Sequence, residues 1–99
     1  MYDYRCAYCG IAPEKLHIDH VIPVVMGGSS QISNLMPACI SCNNYKSSMT
    51  VKEFRTNIEQ QVERARTQSV NFRLAERFGL ISIIRKSIIF LFEIEPQQP

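Results

Sequence analysis

The sequence predicts a small α+β fold that is held closed by a bound metal ion. Two Cys-x-x-Cys segments, Cys6/Cys9 and Cys39/Cys42, frame a short apolar hairpin, and helical patterns follow the second segment. A chain of 99 residues lies near the small end of what one hydrophobic core can stabilise. At this size a covalent or metal cross-link is worth looking for, and the four cysteines supply the side chains for one.

The four cysteines allow either two disulfides or one metal site. Two Cys-x-x-Cys pairs separated by a long insert have the ligand spacing of a tetrahedral zinc site. Residues 1–5 contain neither the basic region nor the apolar run of a signal peptide, so we expect a cytoplasmic protein, where disulfides are rare. We therefore predict that Cys6, Cys9, Cys39 and Cys42 bind one structural Zn²⁺, with a disulfide-bonded secreted protein as the alternative.

The composition fits a globular protein and says little about its partners. Apolar residues make up 45% of the chain and charged residues 20%, which are ordinary proportions, and the formal net charge is +2. No apolar run approaches the ~18 residues of a membrane span, so we expect no membrane association. A total charge this small does not by itself indicate a nucleic-acid-binding protein, so any phosphate-binding surface must come from local placement of Arg and Lys.

The segment between the two cysteine pairs predicts a β-hairpin. Residues 16–25 are mostly apolar and predict a strand, residues 26–34 are rich in Gly, Ser and Asn and predict a loop, and residues 35–38 predict a return strand. Asp19 and His20 lie side by side within the first strand. A charged residue in an apolar strand costs free energy on burial unless a partner or a metal compensates it.

Helical patterns follow the second cysteine pair. Residues 39–49 predict a first helix. Thr50 and Glu53 have the spacing of a capping box, which predicts a second helix that runs to about Gln68. A third helix is predicted over residues 70–78, where the aromatic and alanine side chains share one face.

Residues 80–94 predict β structure at the end of the chain. The run over residues 87–94 is apolar on both faces, so it should be covered on both sides. We expect a C-terminal strand that either joins the sheet or pairs with a second copy of the chain, which is a route to a homodimer.

Several motifs in the first half of the chain resemble the HNH endonuclease family, whose fold is called ββα-metal. Each motif alone is weak, but their order and spacing together are specific. The resemblance implies a treble-clef-like ββα-metal core over residues 1–49 with a four-cysteine zinc site. From the helical and strand patterns of residues 50–99 we predict an extension of two helices and a C-terminal strand that packs on the core in the same domain. The motifs are Cys6-x-x-Cys9-Gly10, Ile18-Asp19-His20-x-x-Pro23, Gly27-Gly28, Ser33-Asn34-Leu35 and Cys39-x-x-Cys42-Asn43-x-x-Lys46.

The resemblance implies a catalytic role for His20, Asp19, Asn34 and Asn43. His20 matches the general base of the family, and an imidazole is suited to taking a proton from water near neutral pH. Asp19 and Asn43 match the ligands of a single catalytic divalent ion. Asn34 matches an asparagine that does not touch the metal and instead hydrogen-bonds across the loop to hold the His20 segment.

Asn43 is where this chain departs from many members of the family, which have histidine at that position. The asparagine resembles the HNN subgroup, and its amide oxygen is a harder ligand than imidazole, so we expect Mg²⁺ or Mn²⁺ at the catalytic site. Lys46, one helical turn further on, is predicted to contact a substrate phosphate. His17 and Arg5 are further candidates for phosphate contacts, and a simple surface position is the alternative for both.

The sequence therefore predicts a zinc-stapled, metal-dependent endonuclease whose partner is DNA. By resemblance, one site would hydrolyse one strand and leave 5′-phosphate and 3′-hydroxyl ends, so a monomer would nick. The alternative is a non-catalytic zinc module that binds nucleic acid or protein, for which Asp19, His20 and Asn43 would be dispensable.

Overall fold

The computed structural model describes residues 2–95, which form two compact units. We call residues 2–54 with 89–95 the knuckle unit and residues 55–88 the helical unit. One 3-10 turn precedes the first strand, and two lie in the loop between the two strands. The regular elements are β1 His17–His20, β2 Leu35–Ala38, α1 Ile40–Lys46, α2 Val51–Glu59, α3 Gln61–Gln68, α4 Val70–Arg77 and α5 Leu91–Ile94.

The predicted hairpin is confirmed. β1 and β2 pair antiparallel, with His17 opposite Ala38 and His20 opposite Leu35. β1 ends at His20, earlier than the predicted strand, because Pro23 cannot donate to a ladder and the chain turns into a 3-10 turn directly after it. Asp19 is thereby placed near the end of the strand, beside the loop that follows.

The helices begin and end at the local signals that the sequence carries. α1 follows Cys39, whose sulfur accepts the backbone N–H of Cys42 at 3.4 Å. The predicted capping box is present before α2, because Thr50 N–H donates to Glu53 at 3.0 Å and Glu53 N–H donates to the Thr50 hydroxyl at 3.1 Å. Ser69 caps α4 by accepting the N–H of Phe72 at 3.1 Å.

The single long helix predicted for residues 50–68 is divided into α2 and α3. The N–H of Gln60 bonds to the carbonyl of Asn57, three residues back, at 3.2 Å. This tighter spacing ends α2 at Glu59, and α3 begins at Gln61. The apolar stripe along this segment did not reveal the break, because its period continues across it.

The buried core lies in the knuckle unit. Four aromatic rings pack there: Tyr8 makes edge-to-face contacts with Phe54, Phe90 and Phe92 at centroid distances of 5.3, 5.3 and 5.8 Å. Phe54 and Phe90 stack at 5.2 Å. None of the residues 55–88 is buried, so the helical unit is stabilised by partly exposed apolar contacts and by ion pairs.

The prediction of a C-terminal strand is wrong. Residues 80–90 form no regular secondary structure, and α5 follows directly. The segment finds hydrogen-bond partners other than a neighbouring strand: Leu91 N–H donates to the carbonyl of Tyr8 at 3.1 Å and Phe92 N–H to that of Ala7 at 2.8 Å. Phe90 and Phe92 pack into the aromatic core, so the strand that was expected to mediate a homodimer does not form.

The architecture confirms the predicted α+β class, with a two-stranded antiparallel sheet, several helices and a cluster of four cysteines. The prediction that residues 50–99 belong to the same domain as residues 1–49 stays a prediction. Within residues 2–95, no helix combines the length and the apolar character needed to cross a membrane.

Candidate active site and zinc site

The four predicted zinc ligands lie together. The sulfur atoms of Cys6, Cys9, Cys39 and Cys42 are all within 4.8 Å of one another, and those of Cys9 and Cys39 are 3.8 Å apart. A tetrahedral Zn²⁺ with Zn–S bonds of ~2.3 Å separates its sulfurs by about 3.8 Å, whereas a disulfide separates them by about 2 Å. The cluster therefore fits a zinc site.

The hydrogen bonds among the thiols shift their pKa values in a way that suits a bound cation. The pKa of the Cys6 thiol is lowered to about 4 because Cys42 donates a hydrogen bond to its sulfur and nearby backbone N–H groups add to that effect. The pKa of Cys42 is raised because its proton is held by Cys6 and its sulfur is partly buried. Once one sulfur is a thiolate, its neighbours resist ionisation, and a bound Zn²⁺ supplies the charge that allows all four to ionise.

A second site forms where the end of β1 faces α1. Asp19, His20 and Asn43 line one open cavity of about 340 Å³. The strand supplies the first two side chains, and the helix, anchored by Cys39 and Cys42, supplies the third. The remaining lining residues are apolar or small: Ile18, Pro23, Val24, Val25, Ser47 and Ser48.

Asp19 is the most constrained side chain of this cavity. It is 5% exposed, and its Oδ2 accepts the hydroxyl of Tyr8 at 2.5 Å and lies 3.0 Å from the ammonium of Lys46. Burial raises the pKa of the Tyr8 phenol, and the hydrogen bond to Asp19 raises it further, so the hydroxyl remains a donor. Two donors therefore fix the carboxylate before any ligand binds.

Lys46 makes contacts that the sequence did not predict. Its side chain is 0% exposed, pairs with Asp19 and donates to the carbonyl of His20 at 3.0 Å. A buried ammonium must be paired, and the carboxylate on the neighbouring strand satisfies it. Lys46 thus pairs with Asp19 and the His20 backbone, and its predicted contact with a substrate phosphate stays a prediction.

Asn34 makes the loop contacts that the resemblance implies. Its Oδ1 accepts the N–H of Ile22 at 2.9 Å, and its Nδ2 donates to the carbonyls of Ile22 at 3.1 Å and Ser29 at 2.7 Å. The backbone carbonyl of Asn34 also accepts the N–H of Val21 at 2.9 Å. These bonds, which we call the asparagine clamp, hold the chain directly after His20.

Gly28 lies against the asparagine clamp. A Cβ at this position would be 1.7 Å from the carbonyl oxygen of Ile22 and 3.0 Å from Nδ2 of Asn34. The loop can close on Asn34 only because Gly28 has no side chain. The Gly-Gly pair in the sequence indicated a loop, but the position of this close contact needed the structure.

The other predicted residues differ in their access to the cavity. His20 is partly exposed, and its Nε2 lies 3.3 Å from the hydroxyl of Ser30. His17 begins β1 and is not among the residues that line the cavity. Arg5 pairs with Glu95 and, at 3.8 Å, with Asp3, so its guanidinium already has carboxylate partners.

Tyr8 is the site residue that sequence analysis missed. It lies between Cys6 and Cys9, two of the predicted zinc ligands, and its hydroxyl connects that cysteine pair to Asp19. A large aromatic residue between two metal ligands was the available signal. The sequence alone did not show which carboxylate its hydroxyl reaches, because the two residues belong to different elements.

The fold and the two sites define a small ββα protein with a four-cysteine cluster that fits zinc and a polar cavity beside its hairpin. The family model described as HNH endonuclease matches residues 6–59, which is more than half of the chain. The chain belongs to the HNH endonuclease family, which implies a nuclease that binds nucleic acid. A comparison with curated proteins gives no match.

Proposed function

We propose that this protein is a metal-dependent endonuclease that nicks DNA by hydrolysing a phosphodiester bond, leaving 5′-phosphate and 3′-hydroxyl ends. The observation that carries the proposal is the placement of Asp19, His20 and Asn43 on one open cavity in a chain of the HNH endonuclease family. The cavity is open enough for a phosphate of a polymer to enter from the surface. The reaction requires a proton acceptor for the attacking water and positive charge beside the phosphate.

His20 is the proposed general base. It is the one lining residue with an imidazole, it is partly exposed to solvent, and Lys46 and Asn34 hold the backbone at its carbonyl and directly after it. A base held in this way keeps its position relative to the phosphate while it accepts a proton from water. Proton transfer of this kind contributes roughly 10²- to 10⁴-fold to a rate.

The oxygen donors of the cavity fit a hard divalent ion. Oδ2 of Asp19 already accepts two hydrogen-bond donors, so the other carboxylate oxygen is the one we assign to the metal, together with the amide oxygen of Asn43. Carboxylate and amide oxygens favour Mg²⁺ and Mn²⁺, and such a bound ion would stabilise negative charge on the phosphate. With two protein ligands, the affinity for the free ion should be low.

The test is nicking of supercoiled plasmid by the zinc-loaded protein with Mg²⁺ or Mn²⁺. We expect nicked circles that EDTA abolishes, and a loss of about 10²-fold or more in His20→Ala. Asn44→Ala is the matched control for Asn43→Ala, because the two amides are neighbours and only Asn43 lines the cavity. A non-catalytic zinc module would give no EDTA-sensitive nicking, and undiminished nicking by His20→Ala would contradict the proposed base.

A further inference from the structure

Electric charge is divided unevenly between the two units. The knuckle unit contains four Lys or Arg and six Asp or Glu, a net charge of −2, and the helical unit contains seven Lys or Arg and three Asp or Glu, a net charge of +4. The unit that carries the proposed catalytic site is therefore acidic, and Zn²⁺-bound thiolates would add further negative charge there. An acidic unit repels a polyanionic substrate such as DNA, unless another part of the chain attracts it.

Two of the four cations of the knuckle unit are paired with carboxylates. Lys46 is buried against Asp19, and Arg5 pairs with Glu95 and Asp3. Lys15 and Lys52 are its exposed cations without an ion pair among residues 2–95. This unit therefore offers little positive surface for DNA.

Positive charge in the helical unit remains after its ion pairs are counted. Arg66 and Arg85 pair with its glutamates at 2.6 to 2.9 Å. Among residues 2–95, the other arginines of α3 and α4 and Lys86 have no carboxylate partner. Arg64 donates to the side-chain oxygens of Asn57 and Gln60, and Arg73 donates to the carbonyls of Arg66 and Thr67. Arg77 and Lys86 are exposed.

Two of these cations share one face of α4, and two are held by neutral partners. Neutral partners hold Arg64 and Arg73 in place without cancelling their charge. Arg73 and Arg77 lie one helical turn apart, so they occupy the same face of α4. Arginine side chains held on a helix are well suited to phosphate oxygens, which they bind with two parallel N–H groups.

We propose that the helical unit is the part of this protein that holds the DNA backbone, through phosphate contacts of Arg64, Arg73, Arg77 and Lys86. The inference rests on the proposed nuclease function for its choice of DNA as the polyanion. Contacts to phosphates carry no base information, so binding by this unit is insensitive to DNA sequence and weakens with salt.

The experiment measures DNA binding separately from cleavage. The affinity of the full chain for a labelled duplex is measured by fluorescence anisotropy over a range of KCl concentrations, with His20→Ala in every protein so that no DNA is cut. Arg77→Gln with Lys86→Gln removes two exposed cations of the helical unit. Lys15→Gln with Lys52→Gln makes the same change of charge in the knuckle unit and is the matched control.

We expect the first pair to make the slope of log affinity against log salt shallower by about 1.8, and to weaken binding at 0.1 M KCl about sixtyfold, because each phosphate contact contributes roughly 0.9 to the slope. The control pair should leave the slope unchanged. An unchanged slope in the first pair, or equal losses in both pairs, would overturn the inference. Displacement of the protein by poly-glutamate as readily as by unlabelled DNA would overturn the assignment to nucleic acid.

The outcome is distinguishable from failure of the proposed nuclease activity. A protein that loses its salt-dependent binding with Arg77→Gln and Lys86→Gln but never nicks plasmid upholds this inference and contradicts the nuclease. A protein that nicks through His20 and binds DNA equally well without those two cations upholds the nuclease and contradicts this inference.

Discussion

Asp19 is the side chain on which the proposed site depends most, because three parts of the chain meet at it. Asp19 lies on β1, its carboxylate accepts the hydroxyl of Tyr8 from the first cysteine pair, and it pairs with Lys46 of α1. A buried carboxylate and a buried ammonium each need the other, since an unpaired charge at either position costs several kcal/mol. The pair leaves the site nearly neutral before a divalent ion and a phosphate enter.

Lys46→Met should destabilise the protein by about 3–5 kcal/mol, because it leaves the carboxylate of Asp19 buried without its cation. Methionine keeps most of the volume and removes the charge. The measurement is urea unfolding of the zinc-loaded protein. Lys52→Met is the control, since Lys52 is exposed and should change the free energy of unfolding by no more than about 0.5 kcal/mol.

The double variant Lys46→Met with Asp19→Asn separates charge from packing. If the lost ion pair is the cause, removal of the second charge should recover part of the stability that Lys46→Met loses. Equal stability of Lys46→Met and Lys52→Met would show that the ammonium is not paired in the folded protein.

At the scale of elements, the hairpin and the start of α2 were predictable because their signals are local. The return strand Leu35–Ala38 and the capping box before α2 follow from short stretches of sequence. The role of Lys46 and the C-terminal segment were not predictable in the same way. A buried lysine is paired by a carboxylate 27 residues earlier in the chain, and residues 91–92 bond to residues 7–8.

The loop between β1 and β2 packs Gly28 against the carbonyl of Ile22, beside the asparagine clamp that follows His20. Gly28→Ala should push the loop away from Ile22, because the added Cβ would lie 1.7 Å from that carbonyl oxygen. We expect a loss of stability of about 1–3 kcal/mol and a larger loss of plasmid nicking, since the asparagine clamp would open. Nicking is measured at a temperature at which the variant is folded by circular dichroism.

Gly79→Ala is the matched control for the loop. Gly79 has φ of +72°, and a Cβ at this position would meet no other atom within 4 Å, so the substitution costs about 1–2 kcal/mol in backbone strain alone. This variant should be destabilised to a similar degree and still nick DNA. Wild-type nicking by folded Gly28→Ala would contradict the role given to the loop.

At the scale of the whole molecule, the four-cysteine cluster connects the fold to the proposed site. The two cysteine pairs join the start of the chain to α1, and Tyr8, between two of those cysteines, contacts both Asp19 and the aromatic rings of Phe90 and Phe92. The cysteine spacing predicted the staple. It could not predict that Phe90 and Phe92 pack against Tyr8, because the apolar residues 87–94 fit a strand equally well in the sequence.

Removal of Zn²⁺ should therefore unfold the knuckle unit and not merely loosen one loop. Structural zinc contributes about 10–16 kcal/mol in small domains, which is as large as the whole stability of a typical protein. We expect chelation in mild denaturant to abolish the near-ultraviolet circular dichroism of the packed tyrosine and phenylalanine rings, to expose four titratable thiols, and to abolish nicking. One equivalent of Zn²⁺ should reverse all three changes, with nicking assayed in the presence of Mg²⁺, whereas Mg²⁺ without Zn²⁺ should reverse none, because a hard ion does not bind four thiolates. A metal-free protein that keeps its aromatic signal and its thermal midpoint would show that the cysteines are not what holds the fold closed.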